Sequence, residues 1–319
     1  MKKGIFFLFL ALSWHFASAQ ESQTVYNFLR LPVSSHASSL GGENITIIED
    51  DATLMHHNPA LLLNVSDRSV SLGYMNYMSG VGAYSAGYAF HVGEKAVAGV
   101  SAQYLNYGTM KETDADGNVT GDFNASDFSL SATLSHRLAE RLTGGVTARF
   151  LYSSIAGYHS TAAAVDLGLN YYDEERELSV SVVAKNLGGQ LSAYNDEYEK
   201  MPADLQAGIS KRLTGMPLRL SVTATDLTHW DYSFFRHLTI GADLILSHQI
   251  YLAAGYSLRR SHQMSIVSAD NDFGDEESSH GAGLSFGAGI AIDRFNIHVS
   301  YAKYHVSSSS LMVNIGFNL

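Results

Sequence analysis

The chain has 319 residues with 28 Gly, 18 Tyr, 15 Phe, only 4 Pro and no Cys, and it carries a formal net charge of -11. The lack of cysteine removes disulfides, thiol nucleophiles, cysteine metal sites and a lipoprotein anchor together. The acidic balance excludes nucleic acid as a partner, because such a surface repels a polyanion.

The first element is a leader. Lys2 and Lys3, an apolar stretch from Gly4 to Leu12 and the small residues Ala17-Ser18-Ala19 read as a signal peptide over residues 1–19, too short and wrongly flanked for a membrane span. After it no run of about 18 apolar residues occurs, which leaves a soluble protein, a surface-bound one or a β-barrel as ways to live outside the cytoplasm. Residues 20–67 do not alternate in polarity and read as a segment that enters a lumen as a plug.

From residue 68 to 319 the pattern changes to period-2 runs, each about ten residues long, as strands crossing a bilayer require. The runs cover 68–78, 82–92, 96–107, 126–137, 142–153, 159–172, 177–187, 203–213, 217–227, 236–247, 249–259, 280–292, 294–304 and 309–319, which makes fourteen. In the last, Leu311, Val313, Ile315, Phe317 and Leu319 make one apolar face against Met312, Asn314, Gly316 and Asn318. Every second connection is tight, such as Gly93-Glu94-Lys95, His248 or Asp293, while 108–125, 188–202 and 260–279 are long and fall on one side. The expected fold is all-β, a transmembrane antiparallel barrel of about 14 strands with an N-terminal plug, its first strand meeting its last across the seam. A soluble double-sheet sandwich is the alternative.

Several short motifs suggest chemistry, and each has a plainer reading. Gly283-Leu284-Ser285-Phe286-Gly287 matches a nucleophile elbow but sits inside an alternating run rather than at a strand-to-helix turn. Ser300 and Lys303 match S-x-x-K, yet three apart on a strand they face opposite ways. Asp114-Ala115-Asp116-Gly117-Asn118 opens like a calcium loop but lacks the Glu at its twelfth position. His56-His57 would diverge on extended backbone, which points to packing rather than metal ligation. No catalytic residue, metal or cofactor is expected.

Three linked pieces, Ser39-Leu40-Gly41-Gly42, then Glu49-Asp50-Asp51-Ala52, then His57-Asn58-Pro59-Ala60-Leu61-Leu62, resemble the N-terminal signature of FadL-like outer-membrane proteins in their PorV/PorQ branch. Phe28-Leu29-Arg30-Leu31-Pro32 and Ala184-Lys185-Asn186-Leu187-Gly188 extend the likeness along the mature chain. The resemblance implies a non-catalytic barrel of the type IX secretion system, part of a surface attachment complex with PorU, PorV and PorZ. In that picture PorU transfers cargo to lipopolysaccharide, PorV delivers it, and a barrel of this branch tethers PorZ. The family motif falls on Leu40, Gly41, Gly42, Asp50, Asp51, Asn58, Pro59 and Ala60, with Asn58-Pro59 as a rigid corner. FadL transporters usually place Gly after Asn-Pro-Ala, where this chain has Leu61, so a flexible hatch does not carry over. Outer-membrane transport of hydrophobic small molecules, and more distantly a barrel hydrolase, stand as alternatives. The acidic loop residues Asp114, Asp116, Asp122, Asp196, Glu197, Asp270, Asp272, Asp275, Glu276 and Glu277 are candidates for a partner-binding rim.

Overall fold

The computed structural model describes residues 24–319 apart from 79, 196, 231–232, 248, 265, 269–275, 279–280 and 306–307. The expected leader, the turn residue His248 and the rim candidates Asp196, Asp270, Asp272 and Asp275 lie outside the described residues. Fourteen strands form one closed antiparallel barrel. They are β1 (Ser69–Met78), β2 (Val81–His91), β3 (Ala96–Thr113), β4 (Val119–Ala139), β5 (Leu142–Ile155), β6 (Tyr158–Asp173) and β7 (Leu178–Ser192). The second half adds β8 (Asp204–Arg212), β9 (Leu218–Ala224), β10 (Leu238–Ile245), β11 (Ile250–Ser257), β14 (Leu284–Ile292), β15 (Phe295–His305) and β16 (Ser308–Asn318). A separate two-stranded hairpin, β12 (Ile266–Ser268) with β13 (Glu276–Ser278), stands in the β11–β14 connection.

Closure is the seam between β1 and β16, in register from Ser69 opposite Asn318 to Asn76 opposite Leu311. It leaves no sheet edge, which lipid demands because an unpaired backbone group there costs several kcal/mol, of order ~4. Alternation places Leu311 and Ile315 outside and Met312 and Asn314 inside, as the sequence pattern predicts. The same holds around the wall: in β5, Val146 and Phe150 are exposed while Thr147, Arg149 and Ser153 are buried. Exposed apolar rows on every side exceed what a soluble surface tolerates, so this exterior is a lipid-facing one and the sandwich alternative is excluded. Aromatic rings gather near both strand ends, with Phe295 on Phe317 at 4.8 Å at the short-turn end and Tyr74 on Tyr84 at 5.2 Å in the other half.

One segment departs from the sequence reading. Residues 108–125 are largely strand, because β3 and β4 run on past the wall as a hairpin and leave only 114–118 as the turn. The projecting part is wet on both faces, so its apolar period vanishes although its ladder continues. Lys111 and Asp122 pair across it at 2.7 Å.

Residues 24–66 pass down the lumen. Val25 N–H donates to the Lys200 carbonyl at 3.0 Å at the loop end, and Ser66 N–H donates to Asp50 at 2.7 Å near the last strand. Between them lie short turns of helix, at Asn27–Arg30, Ser35–Ser39, Ala52–His56 and Pro59–Asn64, each too short to stand without packing. The lumen face of the wall is mostly Ser and Thr, with glycines where the plug backbone touches it. A Cβ on Gly255 would collide with the Leu40 backbone, and one on Gly145 with the Pro59 backbone. His56 and His57 sit on and just after the Ala52–His56 turn rather than on extended chain, and both are buried. Their separation argument therefore does not apply, although packing remains their setting.

Gly255→Val should overpack this contact by about 1–3 kcal/mol or more. The expected readout is a lower unfolding temperature in detergent and faster proteolysis of residues 24–66. Gly189→Val, where a new Cβ meets nothing within 4 Å, should leave both unchanged. Equal behaviour of the two variants would show that the close approach does not hold the plug.

Candidate functional site

The plug is fastened to the wall by charge. His36, on the Ser35–Ser39 helix, has Nδ1 2.7 Å from Glu49 Oε2 and Nε2 2.7 Å from Asp243 Oδ1 of β10. Arg219 of β9 donates from Nε to the other Asp243 oxygen at 2.8 Å and from Nη2 to Glu49 Oε1 at 3.2 Å. The His36 ring stacks on Tyr251 at 3.8 Å, and the Tyr251 hydroxyl lies 2.8 Å from His298 Nδ1. Burial alone would push the His36 imidazole down, but the two carboxylates beside it win and raise it to about 9. Burial likewise pushes Glu49 up, and the neighbouring His36 and Arg219 more than reverse this, bringing it to about 2. Two cations and two anions thus close their own charge inside the barrel.

Two further fastenings flank this quartet. Arg260, in the helix Leu258–Gln263, donates to the carbonyls of Gly41, Ala282 and Gly283 at 3.2, 2.7 and 3.1 Å, and its guanidinium lies 4.6 Å over the Tyr304 ring. On the opposite wall Arg149 donates to Asp166 at 2.7 Å, and the Asn186 N–H donates to the same carboxylate at 2.6 Å. The β6–β7 ladder slips by one residue here, so adjacent Lys185 and Asn186 are both buried, with Asn186 at φ 56°. The Ala184–Gly188 motif is therefore a wall bulge.

The motif residues of the plug all have fastening geometry. Gly41 and Gly42, at φ 104° and 97°, end the Ser35–Ser39 helix after buried Leu40. Asp50 accepts from Ser66 Oγ at 2.5 Å and from Asn318 Nδ2 at 3.0 Å, tying the plug to the seam strand. Asp51 caps the Ala52–His56 turn through Thr53 N–H at 2.8 Å. Asn58 caps the next turn through Ala60 N–H at 2.9 Å with Pro59 in the first position, and Ser135 of β4 donates to the Ala60 carbonyl at 3.0 Å. Leu61 is buried against Leu40 and Leu54.

A cavity of about 320 Å³ with mixed polar and apolar walls opens at the short-turn end, bounded by Ile48, Glu49 and Asp50 of the plug. An apolar crevice of about 30 Å³ lies between Phe28, Leu31 and Val33 of the plug and the wall around Tyr74, Tyr84 and Met312. At the loop end, Asp114 organises its own turn by accepting from Asp116 N–H and Asn118 N–H at 3.0 and 2.8 Å. Asp116 and Glu197 are exposed, Asp122 is paired with Lys111, and Glu276 and Glu277 belong to β13. Ser285, from the elbow-like motif, spends its hydroxyl on the Ser39 carbonyl at 3.0 Å. Ser300 is buried in the lumen while neighbouring Tyr301 is exposed, so the strand alternates through this motif.

The sequence reading missed two things. The quartet has a visible trace, since Arg219 and Asp243 are charges at lumen positions of otherwise small, uncharged rows, but nothing local pairs them with His36. The β9–β10 connection also carries Trp230, Phe234 and Phe235, all exposed, with Trp230 and Phe234 stacked at 6.4 Å. Its Asp226 is bound by Arg259 at 2.9 Å, which ties this loop to the β11–β14 connection.

No protein-family model matches the chain and no curated protein matches it. Solved structures do. The chain is similar to the CymD monoaromatic hydrocarbon channel, with TM-score 0.60 and 14% identity over 90% of this chain and 97% of that one. It is similar to the Pseudomonas putida toluene transporter TodX, with TM-score 0.57 and 13% identity over 90% and 97%. A Pseudomonas aeruginosa FadL homologue matches with TM-score 0.55 and 11% identity over 90% and 98%. At such identities the likeness establishes a FadL-like barrel fold.

The quartet sets a pH dependence. The part of plug stability owed to His36, raised from 6.5, is fully present below pH 6.5 and is lost as pH rises through about 9. The part owed to Glu49, lowered from 4.5, is present above pH 4.5 and is lost as pH falls through about 2. The unfolding temperature in detergent should therefore decline on the alkaline side of this window. His36→Leu should abolish that alkaline decline and cost on the order of 3–5 kcal/mol, as expected for a buried ion group stripped of one partner. An unaltered alkaline limb in the variant would assign the dependence elsewhere.

Proposed function

We propose that this chain is a non-conducting outer-membrane barrel that anchors a surface complex of protein secretion, as the PorQ member of the PorV/PorQ branch does in type IX secretion. On this reading it tethers PorZ near PorU and PorV and has no catalytic part of its own. The observation that carries it is the stopper: residues 24–66 run the length of the lumen and are held by the charged quartet of His36, Glu49, Arg219 and Asp243. A barrel filled in this way offers its rim rather than its bore. The rim has material to offer, in the β3–β4 hairpin, the β7–β8 connection and the exposed aromatics Trp230, Phe234 and Phe235.

Transport of hydrophobic small molecules is the second reading, and the fold shared with CymD and TodX favours it. Beside the plug there is little room for such cargo, since the apolar crevice measures about 30 Å³ and an apolar cavity that takes up benzene is about 150 Å³, whereas an open apolar hollow of about 500 Å³ lies in the wall at Leu130, Phe150, Val165 and Leu187.

Purification of the intact protein from its own outer membrane should bring PorZ with it. Shortening the rim segments 108–125, 188–202 and 226–237, or replacing Trp230, Phe234 and Phe235 by Ser, should release PorZ while the barrel keeps its heat-modifiable gel mobility. Unchanged retention of PorZ would reject the rim as the docking surface. Saturable uptake of a monoaromatic compound lost on deletion, with secretion untouched, would favour the transporter instead.

A further inference from the structure

On the lipid side of the wall, the open hollow of about 500 Å³ crosses from β3 to β7. Leu130, Phe150, Val165 and Leu187 stand around a floor of three exposed alanines, Ala132, Ala148 and Ala163. Pairing explains the shape. Ala132 lies opposite Ala148, and Ala163 opposite Phe150, so three neighbouring strands each offer a methyl group where the rows around them carry Leu, Val or Phe. The floor is closed. At this level the β4–β5 and β5–β6 ladders run without a register shift, through Leu130 opposite Phe150 and Ala148 opposite Val165. Behind it, on the lumen side, Arg149 is held by Asp166 at 2.7 Å and by Gln103 at 3.2 Å. The hollow is therefore a blind recess and not a route to the bore.

What fills the recess follows from where it lies. Its lipid-facing side chains carry no polar atom, so nothing in it bonds a headgroup, orients a protein partner or holds an ordered water. Left empty, it would forfeit dispersion contacts along its whole open side. Its form is long rather than compact, because five strands spaced about 4.8 Å apart give it a reach of about 19 Å. An extended alkyl chain matches that reach, whereas a single ring of the benzene class fills about 150 Å³ and would leave most of it open. At the next lipid-facing position toward the loop end, Tyr104, Phe128 and Tyr152 form an aromatic row, and the Tyr152 hydroxyl lies 2.8 Å from His159 Nδ1. Such rows mark the level of the headgroups, and the loop end faces the cell surface. A lipid whose headgroup sits at Tyr152 and His159 hangs its chain over the alanine floor.

We propose that this hollow is a binding site for one acyl chain of an outer-leaflet lipid, which stays with the barrel instead of exchanging freely with the bilayer. The chain supplies the packing that Ala132, Ala148 and Ala163 leave out, directly outside the buried pair of Arg149 and Asp166. The site depends on the wall alone and not on what the rim holds.

The test uses the full-length protein in detergent with dioleoylphosphatidylethanolamine as the probe. Native mass spectrometry should show one lipid retained by the wild type and by Ala288→Leu, which changes a lipid-facing alanine of β14 outside the hollow. Ala148→Leu and Ala163→Leu each fill the floor from the lipid side and should lose that lipid, and either one decides the matter if the other fails to fold. Crystals of the wild type grown with the same lipid brominated on its chains should show anomalous peaks along β4 to β7. Equal retention in the wild type and the floor variants would overturn the proposal. So would bromine peaks confined to other parts of the barrel, or a dimer that the floor variants break, since the hollow would then belong to a second copy of the chain.

Discussion

A sheet in lipid must close on itself, and closing it with fourteen strands leaves a bore wider than its own side chains can fill. Eight strands make a barrel whose interior side chains suffice, and 16 to 18 make an aqueous pore. The rest of this molecule follows from that intermediate width. The lumen wall is built from Ser, Thr and Gly so that a second layer of backbone can lie against it, and residues 24–66 supply that layer. Gly145 and Gly255 mark where the layers touch, and the Asn58-Pro59 corner and the Leu40–Gly42 helix end are the parts of the plug that touch there.

Once a segment of chain is buried in a polar bore, its register needs specifying, and apolar contact is a poor means for that. The apolar clusters around Leu40, Leu54 and Leu61 and around Met55, Leu62 and Val65 supply burial without the directional pairing that charges impose. The His36 quartet cannot slip. Each of its four members has two partners of opposite charge, and His36 and Asp243 are fully buried, so a displacement that strands either of these costs about 3–5 kcal/mol. Its net worth relative to a greasy replacement is small by the same reasoning, so position, rather than stability alone, is what such a device secures. Asp50 at the seam and Arg260 beneath the loop end fix the two extremities in the same manner.

What the sequence disclosed and what it hid both follow from the solvent on each face. Every wall strand was legible because lipid on one side and a polar lumen on the other enforce a strict period of two, and so was the meeting of the first strand with the last across the seam. Where both sides are water the signal fails, and the β3–β4 hairpin beyond Asn106 looked like a loop. The bulge at Lys185-Asn186 hid for a related reason, since two adjacent inward residues break the period by one. The quartet hid because its members are far apart in the chain: His36 and Asp243 are separated by 207 positions. The plug motif was legible as local turn chemistry at Asn58-Pro59, whereas the cap made by Asp51 and the strands those turns fasten to were not.

The same barrel fold elsewhere carries small aromatic molecules, so the wall itself does not decide the role. The decision lies in how the bore is filled. A conducting relative needs a stopper that can yield, or a gap beside it large enough for its cargo. Here the residue after Asn58-Pro59-Ala60 is Leu61, buried at 1% exposure against the plug's own core, and the chain on either side of it is capped, ion-paired and pressed on glycine. Moving that segment would break the Asn58 cap, the Ser135 bond to Ala60 and the packing of Leu61 together, which makes an opening of the bore at this point a cooperative unfolding rather than a hinge motion. A plug fastened in this way leaves the wet hairpin and the aromatic loop as the exposed features of the rim.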